Sequence, residues 1–297
     1  MTADRSQTAG QTDGQPDAQT DALSRHLLEI AIGAARDAGA YFAPFAGRIA
    51  IAAEKKGFFD PVTECDRESE RRIVERIFRE HPDSTIIGEE DGQQGSGAVH
   101  WYVDPIDGTN NFVAGVPFFC VSIAAALGDQ LLAGVVYDPS RDEVFAASTA
   151  GATLNGEPIR CSGNATASGS TLFTEFPRSG RPLEPGDLDQ FARLIRPFRA
   201  ARRLGSTALH LAYVAAGRGD ATFGMGTNAW DVAAGVLLVQ QAGGRYLVPP
   251  GNPEWSARPW LSPHYLAVTP ELDLAQSSVG AVVWNEMFAN VADGAVR

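Results

Sequence analysis

The sequence predicts a mixed α/β fold of alternating helices and sheet strands, and three observations carry that expectation. Leu27, Leu28, Ala31, Ala34, Ala35, Ala38 and Phe42 recur at helical spacing, which makes one apolar stripe of an amphipathic helix. Between Trp101 and Ala147 the pattern becomes short apolar runs broken by Gly, Asp and Pro, as in strands joined by turns. Beyond residue 170 helical and strand-type runs alternate again.

Taken in order, residues 1–20 are Thr, Gln, Asp, Gly, Ala and Pro with no aromatic and one arginine, Arg5. Such a stretch buries too little apolar surface to offset its ordering entropy and reads as a disordered tail. The first helix begins near Asp21 and closes at Pro44 and Gly47. A second helix starts near Asp66 and has Ile73, Val74, Ile77 and Phe78 as its apolar face. Ser84 to Gly88 is a short strand running into Glu89 and Glu90, and the Gly- and Gln-rich residues 91–97 read as a surface loop. Trp101 to Val103 reads as a buried strand that stops at Asp104. Phe118 to Leu127, Leu131 to Tyr137 and Glu143 to Ala147 form an antiparallel meander, and Asn155-Gly156 is a strong hairpin signal.

The small, polar stretch 162–170 marks a junction between lobes of residues 21–165 and 166–297, together one catalytic unit. The second lobe reads as a strand from Thr171 to Phe176, a helix around Leu188 to Ile195 and a small-residue helix from Gly205 to Gly217. A strand at Asp220 to Phe223, a helix opening at Ala229, strands near Gly244 to Val248 and His264 to Val268, and a terminal helix from Glu271 to about Ala292 complete it.

At 297 residues and 44% hydrophobic content the chain can bury a substantial core. A net charge of -12 makes nucleic acid and anionic membrane poor partners for the bulk surface, and an anionic substrate would need bound cations to offset that field. Cys65, Cys120 and Cys161 are odd in number and lack C-x-x-C spacing, so neither a disulfide framework nor a zinc site is supported. No stretch is apolar for the roughly 18 residues of a membrane span, and the N-terminus has no apolar signal core. A soluble, unexported, cytoplasmic protein is the expectation. Arg193, Arg196, Arg199, Arg202 and Arg203 form the one basic cluster, read as a solvated face or a subunit contact ahead of a phosphate site.

The chain turns on Asp104-Pro105-Ile106-Asp107-Gly108-Thr109-Asn110-Asn111-Phe112. Two carboxylates and the Ile106 carbonyl can converge there, an oxygen set that suits a hard cation such as Mg²⁺. Gly108 and Thr109 offer backbone N–H groups to an anion. An isolated Asp-Gly pair would be only a polar turn. The whole string, however, resembles the signature Asp-Pro-Ile/Leu-Asp-Gly-Thr-x-Asn-Phe of the inositol monophosphatase family.

Three further segments carry the same resemblance. Lys55, Asp60, Val62, Thr63 and Asp66 match the segment that supplies the family's lysine and mechanistic aspartate. Gly88-Glu89-Glu90 matches its Gly-Glu-Glu, and Trp230-Asp231 with the later Ala242-Gly243-Gly244 matches its second signature. Without the resemblance, Asp66 and Asp231 would read as helix-capping or first-turn acids.

The resemblance implies an αβαβα layered sandwich of the kind shared with fructose-1,6-bisphosphatase. It also implies Mg²⁺-dependent hydrolysis of a small phosphate monoester by two or three ions. Glu89, Asp104, the Ile106 carbonyl, Asp107 and Asp231 would hold the metal. Asp66 and Thr109 would activate water and Lys55 would add positive charge. Gly108, Thr109, Ser179, Ser206 and Thr207 would contact substrate. A homodimer is implied as well. Inositol monophosphate stands first among substrates, with histidinol phosphate, fructose 1,6-bisphosphate and phosphoadenosine phosphate open. The family commonly has a hydroxyl-binding acid seven residues before its last metal aspartate, and here that position is Gly224. Zinc hydrolysis is disfavoured because the histidines lack metal-type spacing, and cysteine phosphatase chemistry because no cysteine has a phosphate-cradling context. A regulatory or binding protein on the same fold is the non-enzyme alternative.

Overall fold

The computed structural model describes residues 17–48, 53–54, 61–177 and 182–274. Lys55, Ser179, most of the expected tail and nearly all of the expected terminal helix lie outside the described residues.

The helices are α1 (Ala18–Phe42), α2 (Glu64–Glu80), α3 (Thr109–Ala114), α4 (Asp187–Ile195), α5 (Thr207–Ala215), α6 (Ala229–Gln241) and α7 (Pro253–Ala257). The strands are β1 (Ala53–Glu54), β2 (Pro61–Val62), β3 (Ser84–Gly88), β4 (Gly92–Gly95), β5 (Val99–Asp107), β6 (Cys120–Leu127) and β7 (Gln130–Asp138). They continue with β8 (Glu143–Ser148), β9 (Gly151–Leu154), β10 (Glu157–Pro158), β11 (Thr171–Thr174), β12 (Ala200–Arg202), β13 (Ala221–Met225), β14 (Arg245–Leu247) and β15 (His264–Val268).

An eight-stranded sheet has the order β10-β9-β8-β7-β6-β5-β3-β4, antiparallel except between β3 and β5. A five-stranded sheet has the order β12-β11-β13-β15-β14 and is parallel around β11. Alternation along the strands sets the layers, because successive side chains leave opposite faces of a sheet. Trp101 and Val103 of β5 and Val121 and Ile123 of β6 pack with Leu27, Ile30, Phe42, Ile73 and Ile77 of α1 and α2. Their neighbours Tyr102, Ala124 and Ala126 pack with Leu209 and Leu211 of α5 and Val232 and Val236 of α6. Tyr265 and Ala267 of β15 belong to that same middle core, whereas Leu266 and Val268 face Leu194 of α4 and the nearby Phe198. The result is helices, sheet, helices, sheet, helix, the αβαβα sandwich. Removing a side chain the size of Leu27 or Phe42 from water contributes about 1.5–3 kcal/mol, which makes the α1 stripe a major tie to the first sheet.

Burial on both faces explains why β6 and β7 read as continuous apolar runs. Two expectations shift. Helix α1 starts inside the stretch assigned to the tail, because the Asp17 carboxylate caps it by accepting from the Thr20 amide at 2.7 Å. Residues 92–95 are not a loop but an edge strand antiparallel to β3, whose backbone supplies the hydrogen bonds that Gly and Gln side chains do not signal. Part of the basic cluster lies on the edge strand β12, with Arg202 paired in register to Phe173. Between β14 and β15 lies α7, capped by Asn252. The Asn155-Gly156 turn is as expected, both residues having positive φ, 50° and 87°.

Candidate active site

The strand does not stop at Asp104. It runs on to Asp107, and its pairing with β6 changes register on the way: Asp104 faces Ser122 while Asp107 faces Cys120. One strand therefore carries one residue more than its partner between these pairs, a β-bulge within residues 105–106 that includes a proline with no N–H to donate. Residues three apart on a regular strand leave opposite faces, and the extra residue returns Asp104 and Asp107 to the same side. The bulge is what turns two carboxylates toward one point.

Each of the three aspartates expected at the metal accepts a backbone amide. Asp104 Oδ1 accepts from the Ile106 amide at 3.0 Å. Asp107 Oδ2 accepts from the Ser206 hydroxyl at 2.6 Å and the Ala208 amide at 2.7 Å. Asp231, in the first turn of α6, accepts the Asn228 amide at 2.7 Å. Burial raises the Asp104 carboxyl well above the usual carboxylate range, and the charges of Glu89, Asp107 and Asp231 raise it further. Burial likewise lifts Asp107 to about 6 against the hydrogen bonds from Ser206 and Ala208. Four acids from β5, the β3 end and α6 thus press on one another where a cation would relieve them. They converge without closing: among the described residues no three His, Cys, Asp or Glu side chains are arranged to hold an ion as they stand. The donor set of carboxylates and one carbonyl fits a hard cation, whose charge would draw them together.

Asp66 is the third residue of α2 rather than its cap. Thr63 takes the cap position, and its hydroxyl and amide (2.8 Å) both donate to Asp66 Oδ2. That leaves Oδ1 toward Thr109, whose hydroxyl lies 3.3 Å away and 2.9 Å from the Ile106 carbonyl. A hydroxyl has one hydrogen, so Thr109 serves one acceptor at a time. Burial holds the almost wholly enclosed Asp66 up at about 6, opposed by the two Thr63 bonds and helped by Glu90 and Glu89. Gly108, at φ 92°, is the residue just before α3, and a side chain there would stand 3.0 Å from the carbonyl oxygens of both Gly205 and Phe118. The first-turn amides of a helix have no intrahelical partner, and Thr109 is the first residue of α3.

Of the expected substrate contacts, Ser206 is buried with its hydroxyl on Asp107, and it also caps α5 through the Leu209 amide at 3.3 Å. Thr207 is the first residue of α5 and half-buried. Several site-building residues were not singled out by sequence reading. Asn111 donates to the Leu204 carbonyl at 2.6 Å and the Phe118 carbonyl at 2.8 Å, pinning the turn before α5 to the β5 signature. Glu175 accepts the Gly205 amide at 2.8 Å, and Glu70 holds the turn beyond β3. Asn111 could have been found, since the signature includes it; Glu70 and Glu175 gave no sequence signal beyond their charge. His210 is buried and stacked on Phe173 with centroids 5.2 Å apart, and burial lowers its pKa to about 3.

Gly224 has a steric cause. It pairs directly across β13–β15 with Tyr265, and a Cβ at 224 would overlap that ring and lie 3.1 Å from Thr227 Cγ2. Tyr265 cannot step aside, because it is 1% exposed and stacked on Tyr246 at 5.1 Å. Gly224→Ala should therefore destabilise the fold by about 1–3 kcal/mol through overpacking, read as a lower midpoint in urea unfolding; an unchanged midpoint would show that the ring yields.

Comparisons with known proteins agree with this fold. A family model described as the inositol monophosphatase family matches residues 23–287. The chain is 45% identical over 222 residues to a protein named Nus factor SuhB from Haemophilus influenzae, a match covering 73% of this chain and 83% of that one. A protein of the same name from Escherichia coli K12 is 42% identical over 222 residues, with the same coverage. Among solved structures, the Thermotoga maritima IMPase is 34% identical with a TM-score of 0.75, covering 89% of this chain and 98% of that one. Mycobacterium tuberculosis SuhB is 33% identical with a TM-score of 0.70, covering 88% and 96%. By the span of the family match and these identities over most of its length, the chain belongs to the inositol monophosphatase family.

Proposed function

We propose that the chain is a Mg²⁺-dependent phosphomonoesterase acting on a small phosphorylated metabolite, with inositol monophosphate first among substrates. The observation that carries this reading is the gathering of Glu89, Asp107 and Asp231 around the buried Asp104, beside the Thr109–Asp66 pair. Glu89, Asp104, the Ile106 carbonyl, Asp107 and Asp231 would hold two or three Mg²⁺ ions. Bound there, the metal neutralises phosphate charge, lowers the pKa of a water and stabilises the leaving oxygen.

The remaining work falls to the chain's own side chains. When Thr109 donates to Asp66, its oxygen is left to accept from the attacking water and orient it. Asp66, held near 6, is poised to take up the proton. The Gly108 and Thr109 amides face the phosphate oxygens. Lys55, by its place in the matched segment, adds positive charge. Because Asp231 and Ser206 come from the second lobe and Asp104, Asp107 and Thr109 from the first, both lobes are needed for one site. A homodimer in the cytoplasm completes the reading. Among the described residues no helix is long and apolar enough to cross a membrane.

A second reading has a specific observation behind it: the relatives at 42–45% identity are named Nus factor. A regulatory role of that kind would not require turnover, and it would set aside the expectation of no nucleic-acid partner. The catalytic reading stands first because every acid of the motif set, with Thr109, is present in this chain. Phosphate release from inositol 1-phosphate, histidinol phosphate, fructose 1,6-bisphosphate and phosphoadenosine phosphate, each with Mg²⁺ and with EDTA, separates the two. Release from one preferred substrate that EDTA abolishes is the expected result. No release from any of them would favour the regulatory reading.

A further inference from the structure

Helix α2 carries a second acid one turn beyond Asp66, and nothing in the proposed reaction uses it. Glu70 is fully buried, and its two oxygens are divided between two consecutive amides: Oε2 accepts from Glu90 at 2.9 Å and Oε1 from Asp91 at 2.8 Å. These are the residues that follow Glu89 in the turn leaving β3. On its other side the turn is tied to β5, where the Glu89 amide donates to the Val103 carbonyl at 3.1 Å, one residue before Asp104. Glu89 is thus suspended between two anchors, one on the strand that bears Asp104 and one on the helix that bears Asp66.

Two features show that the anchor is specific. A Cβ at Gly88 would overlap the Glu70 carboxylate, so the glycine of Gly88-Glu89-Glu90 is the residue that lets this carboxylate reach the amides beyond it. A carboxylate taken out of water is costly, and here two neutral amides offset that cost. Asp66 and Glu70 are four residues apart and therefore share one face of α2. A single helix face then sets both the Thr109 partner and the turn of Glu89.

We propose that Glu70 is a positioning residue for the metal centre, orienting the Glu89 carboxylate toward Asp104 by fixing the backbone that follows it. The proposal rests on the metal reading of Glu89 and Asp104 given above. Glu70 itself touches neither ion nor substrate.

Mn²⁺ binding, followed by loss of the free-ion EPR signal, tests it on the full-length protein without turnover. In Glu70→Gln one amide loses its acceptor, because the side-chain NH₂ opposes it. The dissociation constant for Mn²⁺ should rise about tenfold, in the range usual for groups that orient metal ligands. The Mg²⁺ needed for half-maximal phosphate release should rise in parallel, while turnover at saturating Mg²⁺ stays within about threefold. Gly88→Ala, which displaces the carboxylate and keeps its charge, should do the same and serves if Glu70→Gln does not fold. In a Glu89→Gln background Glu70→Gln should add nothing, since its effect passes through Glu89. An unchanged affinity, or an equal loss with and without Glu89, overturns the proposal. Asp104→Asn is the control: if it too binds Mn²⁺ as wild type does, the metal reading has failed rather than the role of Glu70.

Discussion

Asp104→Asn should lower kcat/KM for the preferred phosphomonoester at least about a thousandfold, equivalent to about 4 kcal/mol of barrier. The amide keeps the shape of the side chain, and its oxygen can still accept from the Ile106 amide, so the fold loses little. What goes is the central negative charge of the cluster. Asp104 is the acid on which Glu89, Asp107 and Asp231 all act, and without its charge the attraction for a divalent ion falls. Relief of that mutual repulsion should leave the variant's melting temperature equal to or above that of wild type in EDTA. Activity assays across a Mg²⁺ series check the first expectation and thermal unfolding the second. A variant within about tenfold of wild type would remove Asp104 from the metal centre.

Thr109→Ala should reduce turnover about a hundredfold while leaving the Mg²⁺ concentration for half-maximal activity within about threefold. The hydroxyl lies within hydrogen-bond reach of both the Asp66 carboxylate and the Ile106 carbonyl. Removing it leaves the water without its orienting acceptor and Asp66 without a path to the proton, yet deletes no metal ligand. Single-turnover phosphate release alongside Mn²⁺ binding distinguishes the outcomes. Loss of binding in proportion to loss of turnover would make Thr109 a structural support of the Ile106 carbonyl and nothing more.

The two expectations differ in how much of their basis is local. Asp104, Ile106, Asp107, Gly108 and Thr109 are within six positions of one another, and their chemistry is legible in one short string. The string misled on one point, because a strand was expected to end at Asp104. A bulge cannot be read from Pro105 alone; it follows from the count of residues on β6 opposite, where Ser122 and Cys120 are the partners. The same holds for β4 and β12, whose Gly, Gln and Arg residues have no strand pattern and are strands only because β3 and β11 present open edges to them.

The family is legible in the sequence, as are most of the helical and strand periods and the acids and hydroxyl proposed for the site. How they meet is visible in the fold alone: the Ser206 hydroxyl donates to Asp107, the Glu70 carboxylate fills the space beside Gly88, and Gly224 makes room for the ring of Tyr265. The physical reason is the range of the forces. Helix period and turn chemistry act between residues a few positions apart and are written into local pattern. A buried carboxylate's partner, or the atom that fills the space beside a glycine, is chosen by close packing between segments far apart in the chain, as Asp107 and Ser206 are, and no local pattern records it.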